Sequence, residues 1–446
     1  MSLFSTLHIG ASGLGAASTG LGVAGDNIAN IGTTGFKQTR ATFADFLPQD
    51  AFGLAGMGKM GTGAGTNRIA TMFGQGTIEG SDSSLDMAIS GGGFFMVNDG
   101  NQNYYTRNGE VYLDDAGYVV GAGGMRLQGY TAEDGNLSPL VGDLRIDSAM
   151  LPGEATTEIT LDAILSAETE VGTDLAAIDL SGTGAGANTL AEAGAAADFS
   201  TSVTVYDSLG VPHDVTVLFE RSGTSNWSWR AVADASEVYD STGTQFSTDS
   251  GYGFEIASGT ATFDTDGVLT GFSQTDTSAT TAWTFSGAAA TTLAFDFGVD
   301  TTGAATDGAL TMGGSESSVS SVAQDGMANG ELTSLAVDND GTIVGSYTNG
   351  EEMTLGQVAL ATFKAESGLV RVGGTLFAAS AAAGEPAVGI AGTGGRGAIS
   401  GAALEASNVE LEDQFVSMIT SQRAYQASAK VISAADESLQ TLVQLL

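Results

Sequence analysis

Every seventh residue from Leu404 is large and apolar: Leu404, Leu411, Met418, Tyr425, Ile432, Leu439 and Leu446. A second row four residues on, Phe415, Ala429 and Val443, is interrupted by Gln422 and Asp436. A heptad split four and three is what one long apolar seam on a helix requires. Ser407 and Glu410 stand at the spacing of a capping box, in which a Ser oxygen and a Glu side chain each satisfy a free backbone N–H. No Pro or Gly follows. The pattern predicts a helix from about 408 to 445, roughly 55–57 Å long at 1.5 Å per residue. Such a helix outreaches a small domain and needs an equally long partner.

Residues 3–31 carry the same period. Leu7, Leu14, Leu21 and Ile28 are seven apart, and Leu3, Gly10, Ala17, Ala24 and Ile31 form the other half. Asp26 is the one fully charged side chain before Lys37. A surface helix normally has a charged face, and this one has none. Gly10, Gly13, Gly15, Gly20, Gly22 and Gly25 permit close approach but cost about 1 kcal/mol each in an isolated helix. Two packings answer to this pattern: an antiparallel pair of terminal helices inside a monomer, or the helical core of a polymer. The absence of a charged face makes a polymer core the expectation.

Composition narrows the function. Lys and Arg number 14 against 52 Asp and Glu, a formal charge of −38. A field of that sign repels phosphate backbones and anionic lipid, which excludes a nucleic-acid partner. With no Cys, disulfides, thiolate metal sites and Cys nucleophiles are excluded. The N-terminus lacks a basic n-region and a small-residue cleavage site, so no secretory signal is expected. No apolar run of about 18 residues exists, so no membrane insertion is expected. The 65 Gly suit many short strands and tight turns.

Between the helices the texture is β. Phe94–Asn98, Tyr104–Arg107, Val111–Leu113, Tyr118–Val120 and Met125–Tyr130 read as strands between Asn-Asp-Gly, Arg-Asn-Gly and Asp-Asp-Ala-Gly turns. Leu335–Val337, Ile343–Tyr347, Met353–Phe363 and Leu369–Val372 repeat that texture. Residues 148–317 alternate apolar and polar in Ser202–Tyr206, Asp214–Glu220 and Trp227–Val232, as in a meander with one buried face. They hold 24 Asp and Glu against Arg221 and Arg230. The tract 180–197 and the Gly-rich stretch Gly53–Gly65 read as loops.

Motifs for chemistry fail on inspection. Gly53 to Lys59 mimics a P-loop, but Met60 stands where a hydroxyl would hold Mg²⁺. Gly56, Gly58 and Gly61 fit a dinucleotide pattern by glycine content alone. Asp264-Thr-Asp266-Gly267 and Asp338-Asn-Asp340-Gly341 are fragments of calcium loops without the remaining ligands, and read as hairpin turns. His8 and His213 have no metal-ligand spacing, and there is no Gly-x-Ser-x-Gly elbow. The expectation is no catalytic residue, no metal and no cofactor; an extracellular β-rich glycan-active enzyme is the distant rival.

From Asn27 the chain reads Asn-Ile-Ala-Asn-Ile-Gly-Thr-Thr-Gly-Phe-Lys, with Asn30, Gly35, Phe36 and Lys37 inside it. Here it resembles the bacterial flagellar rod and hook family. Ala403-Leu-Glu-Ala-Ser407-Asn408-Val409, Gln422-Arg-Ala-Tyr-Gln426, Phe73-Gly-Gln-Gly76 and Leu85–Phe95 agree with it, in the right order. Rod members are mostly shorter. Ser202–Glu220 followed by Asn226-Trp227 is similar to the outer domain of the hook branch, with a distal rod protein the alternative.

The resemblance implies an α+β multidomain fold, with terminal α-helices forming a coiled-coil-like inner layer and mainly-β middle and outer domains. It implies a terminal helical domain of 1–31 plus 404–446 and a connector over 32–75. A discontinuous β domain of 76–147 plus 318–403 would carry an inserted acidic outer domain over 148–317; pattern alone allows two separate β domains. The implied function is a structural subunit that self-assembles into a curved flexible tube, a universal joint carrying torque from rod to filament. Its implied assembly seam is Leu7, Leu14, Leu21, Ile28, Leu411, Phe415, Met418, Tyr425, Ile432 and Leu439. Its implied partners are itself, distal rod, hook cap and hook-filament junction proteins, and the flagellar type III export apparatus. The implied location is the extracellular hook, reached without a cleaved signal. The Cys-dependent lysine crosslinking of some relatives has no Cys to use here.

Overall fold

The two long periodic segments fold as helices. In a computed structural model, α1 spans Leu3–Ala29, a short α2 Leu190–Ala196 and α3 Leu411–Gln444. The structure describes residues 3–46, 49–50, 59–133, 135–146, 150–172, 174–182, 187–240, 242–276, 283–290, 292–299, 304 and 306–444. Leu446, Leu47 and all of the P-loop-like stretch before Lys59 lie outside them. The 34 residues of α3 span about 51 Å at 1.5 Å each.

The start of α3 differs from expectation. It begins at Leu411, and the Ser407 hydroxyl accepts from the Val409 N–H at 3.4 Å instead of capping a helix. Asn408 explains this: its side chain and backbone are engaged by the N-terminal connector, so the chain stays extended past it.

Two compact units emerge, residues 1–149, 333–346 and 352–446 in the first and 150–332 with 347–351 in the second. In the first unit, α1 and α3 pack antiparallel. A side chain on Gly10 would meet Ile432 Cγ1 at 2.7 Å, one on Gly13 would meet Ser428 Oγ at 2.7 Å, and one on Gly20 would meet Ser421 Oγ at 2.8 Å. Asn27 closes the series on Gln414. The glycines therefore set the helix separation. Gly10→Leu inserts volume where there is none and should cost about 1–3 kcal/mol. Gly15 meets nothing within 4 Å, so Gly15→Ala should gain about 1 kcal/mol of helix propensity. Thermal melts of the far-ultraviolet helix signal check both signs.

Described parts of the segment read as a connector, 32–75, pair as strands. Thr39–Asp45 pairs antiparallel with Ala64–Thr71, and the hairpin lies on α1: the Ala64 N–H donates to Ser12 Oγ at 3.3 Å, and Thr66 Oγ1 to Thr19 Oγ1 at 3.3 Å. Thr39, Thr42 and Phe43 suit a strand, but mixed burial hides the period. The β part of this unit joins distant stretches. Arg126–Glu133 pairs with Glu352–Thr362 through Gly129↔Val358, and Leu360 stands opposite Phe95. Phe94, Tyr105, Phe363 and Phe377 form its core, with edge-to-face contacts including Tyr105–Phe363 at 4.7 Å.

In the second unit, a five-stranded antiparallel meander runs Phe199–Tyr206, Pro212–Arg221, Asn226–Asp234, Gly253–Phe263, Leu269–Asp276. A smaller sheet centres on Glu158–Leu165, parallel to Ala294–Asp296 and Ala309–Met312 and antiparallel to Ser318–Gln324. One core, with Trp227, Trp229, Phe219 and Phe297 fully buried, lies between them. The other meander face is covered by Leu175, Leu180 and α2. The loop expectation for 180–197 is thus corrected by α2. Thr189 Oγ1 accepts from Glu192 N–H and Glu192 Oε2 accepts from Thr189 N–H, a full capping box.

Two carboxylates brace this unit. Burial opposes ionisation of Asp296, but Thr306 and the N–H groups of Gly298, Gly308 and Asp307 outweigh it and hold the pKa below 3.8. Asp325 is likewise depressed: burial opposes, but the Glu158 N–H and the Thr157 hydroxyl and N–H prevail. A carboxylate depressed on folding stabilises above its unfolded pKa and loses that contribution as pH falls through its folded one. The unit should hold its melting temperature down to about pH 4 and lose it below, in a pH series of melts followed by tryptophan fluorescence.

Candidate functional site

The described side chains offer no catalytic constellation. No group of three or more His, Asp or Glu is placed to hold a metal among the described residues. His213 is buried, with Nδ1 2.7 Å from Glu237 Oε2 and Nε2 3.4 Å from Asp207 Oδ2, stacked on Phe285. Asp207 itself accepts the N–H groups of Leu209 and Val211, which makes it a turn residue. His8 lies exposed on α1. No described helix is long and apolar enough to cross a membrane.

What the sequence motifs do build is a junction where both terminal segments meet. Asn27 is fully buried near the end of α1. It donates to the Thr39 carbonyl at 2.8 Å and to Gln414 Oε1 at 2.9 Å, and accepts from Thr39 N–H at 2.9 Å. Asn30 Nδ2 donates to the Asp26 carbonyl at 2.7 Å, a second bond beside that of the Asn30 backbone N–H at 3.2 Å. Gly35 sits at φ +68°, and a Cβ there would strike the Asn108 N at 2.5 Å. Its N–H donates to the Glu405 carbonyl. Asn408 accepts from the Gln38 N–H at 2.7 Å and donates to the Met72 and Gly74 carbonyls, both at 2.9 Å.

At the centre lies a buried ionic triad. Lys37 Nζ is 2.5 Å from Glu405 Oε1, and both side chains are wholly buried. Arg107 Nη1 is 3.3 Å from Glu405 Oε2. The Gly76 N–H also donates to Glu405 Oε1 at 2.8 Å, and Lys37 to the Gly74 carbonyl at 2.8 Å. Burial pulls the Lys37 pKa below its ordinary 10.5, and the Glu405 carboxylate opposes that pull. Sequence reasoning singled out Lys37 but not Glu405 or Arg107. The signal was there: a cation is rare in this chain, and one inside an apolar motif demands a buried carboxylate.

The helix pair is the second feature. On α1 the small row Gly10, Ala17 and Ala24 is buried, while Leu7, Leu14, Leu21 and Ile28 are half-buried. On α3, Met418, Ile432 and Leu439 are half-buried and Ala435 is buried. The second row of α3 facing α1 lies three residues beyond the first, at Gln414, Ser421, Ser428 and Ala435, and not at Phe415, Gln422 and Asp436. Small side chains fit against the Gly and Ala of α1; Phe415 does not. Leu411 is 42%, Phe415 45%, Val416 64%, Ile419 48% and Tyr425 44% exposed. One copy thus leaves an apolar ridge along the first half of α3 open to water.

Two long terminal helices, latched at one junction and carrying an open apolar ridge, with β units strung between them, define a structural protein of the self-assembling kind. Comparisons narrow that class. Residues 133–327 match the family described as flagellar basal body protein FlaE D2 domain. Residues 400–445 match the flagellar basal body rod FlgEFG protein C-terminal family, and 7–37 the flagella basal body rod protein family. The flagellar hook protein FlgE of Salmonella typhimurium is 33% identical over 445 residues, covering 97% of this chain and 98% of that one. FlgE of Escherichia coli K12 is 34% identical over 439 residues, with 97% and 98% covered. FlgE of Treponema pallidum is 31% identical over 473 residues, with 99% of each covered. The chain belongs to the flagellar hook protein family. A solved Helicobacter pylori hook protein, FlgE2, covers 73% of this chain and 100% of its own at 13% identity and a TM-score of 0.46, too loose a likeness to add to this.

Proposed function

We propose that this chain is the structural subunit of the flagellar hook, joining copies of itself into a curved tube that passes torque from rod to filament. The observation that carries this is the apolar ridge of α3, left open after α1 and α3 have paired. A lone domain gains nothing from such a ridge, whereas a polymer buries it at about 25 cal/mol per Å². The seam residues Leu7, Leu14, Leu21, Ile28, Leu411, Phe415, Met418, Tyr425, Ile432 and Leu439 divide the work. Those half-buried in the helix pair hold it together, and Leu411, Phe415 and Tyr425 face other copies.

In this reading 1–31 with 404–446 form the tube wall, and 32–75 braces it. The β part of the first unit and the acidic second unit, to which 318–332 also belong, are the β domains whose polar surfaces slide as the tube bends. The distal rod and the junction proteins are its end partners, the hook cap and the type III export apparatus its assembly partners. Its role is mechanical, with no catalytic step, cofactor or nucleic acid. Electron microscopy of the purified chain after polymerisation tests this: a curved tube supports the hook, a straight tube points to a rod role, and no polymer overturns the reading.

A further inference from the structure

We infer that the cleft beside α1 is the seat for the first turns of α3 from a second copy of this chain, an inference that rests on the assembly reading above. The cleft has a volume of about 450 Å³ and is lined by Gly22 and Asp26 of α1, Arg68 and Ile69 of the hairpin, and Val370 and Arg371. Ile69 and Val370 are more than half exposed at its rim. Arg371 is committed within the chain, with Nη1 2.9 Å from Asp26 Oδ2 and its guanidinium 4.8 Å from the Phe36 ring centre. Arg68 is not: it donates to the Ser367 carbonyl at 3.4 Å and has no carboxylate partner among the described residues.

Arg68 thus brings an uncompensated positive charge to a cleft rimmed by apolar side chains, and a carboxylate is the group that would complement it. Its occupant must be acidic and apolar together. The first turns of α3 have that character. Leu411, Phe415 and Ile419 form one exposed row at i, i+4 spacing, and Glu412, also exposed, borders it.

Position supports a second copy as the donor. At 100° per residue, Gly22 and Asp26 lie about half a turn around α1 from Gly10, Ala17 and Ala24, which face α3. Ridge and cleft therefore lie on different sides of the helix pair. A contact between two different patches of identical chains is heterologous, and unless its rotation closes a ring it propagates. The Arg68–Glu412 pair would fix which turn of the ridge enters the cleft, since a shift by one turn puts Asn408 or Val416, neither of them a carboxylate, at that place.

A charge swap tests the pairing. Arg68→Glu and Glu412→Arg should each raise the critical concentration for assembly, read by light scattering, about tenfold. The double variant, with the charges exchanged, should return to within about threefold of the native chain. Helix melts of the unassembled variants separate an assembly defect from misfolding. The lack of Cys adds an independent readout: Ile69→Cys and Val416→Cys chains, mixed and oxidised with diamide, should give a disulfide-linked heterodimer. Single variants that assemble like the native chain, a double variant no better than the singles, or no heterodimer overturns the cleft assignment while leaving self-assembly standing. A native chain that forms no polymer overturns the assembly reading itself and this inference with it.

Discussion

Glu405→Ala should lower the stability of the unit carrying the terminal helices by about 3–5 kcal/mol. The carboxylate is wholly buried and is shared by Lys37 at 2.5 Å and Arg107 at 3.3 Å. It also accepts the Gly76 N–H. Removing it leaves two cationic side chains with only the Gly74 and Gly91 carbonyls and no counter-charge, and the Gly76 N–H without its acceptor, in a site closed to water. Such a site turns the attraction that held the charges there into an uncompensated desolvation cost. Burial already drags the Lys37 pKa down, and Glu405 opposes it, so the lysine loses its main support. A triple variant, Lys37→Met with Arg107→Met and Glu405→Leu, removes the charges together and should cost far less than Glu405→Ala alone. Urea unfolding followed by far-ultraviolet circular dichroism reads this unit directly, because both long helices belong to it. A loss below about 1 kcal/mol for Glu405→Ala would mean that the triad does not latch the termini.

The triad also shows what the sequence made legible and what it hid. The helices announced themselves because a heptad repeat survives wherever a helix packs along its length, and Leu7 to Ile28 and Met418 to Leu439 keep it. The meander strands were legible because Phe199–Tyr206, Pro212–Arg221 and Asn226–Asp234 alternate over part of their length, but the expected single buried face is corrected: Val217–Glu220 and Ala231–Ala233 are buried in succession, where Leu175, Leu180 and α2 cover the second face. Glu158–Leu165 also alternates, but its partners are more than a hundred residues away, two of them parallel and one antiparallel, and local pattern does not reveal such pairing. The Thr39–Asp45 hairpin was hidden by the Gly-rich stretch that follows it. The capping box of α2 was present as Thr189-Leu-Ala-Glu192 but lay in a tract whose Gly and Ala content reads as a loop. The motif residues Asn27, Lys37 and Asn408 were visible by resemblance, yet their work became clear only with Glu405, Arg107 and Gln414, brought together from opposite ends of the chain.

Phe415→Asp should abolish self-assembly while leaving the subunit folded. Phe415 is 45% exposed in one copy, so the substitution removes little from the fold. In a polymer it forfeits about 1.5–3 kcal/mol of apolar burial and adds the cost of desolvating a carboxylate. At about 1.4 kcal/mol per decade, the critical concentration should rise more than a hundredfold. Leu411→Asp, at the head of the same ridge, should behave alike, whereas Ile432→Asp on the row facing α1 should first destabilise the helix pair. The most direct measurement compares native and Phe415→Asp chains by light scattering and electron microscopy under polymerising conditions, with the helix melt of each. Tubes from the native chain and a folded monomer from Phe415→Asp are expected; tubes from Phe415→Asp at the native critical concentration would contradict an assembly built on the α3 ridge.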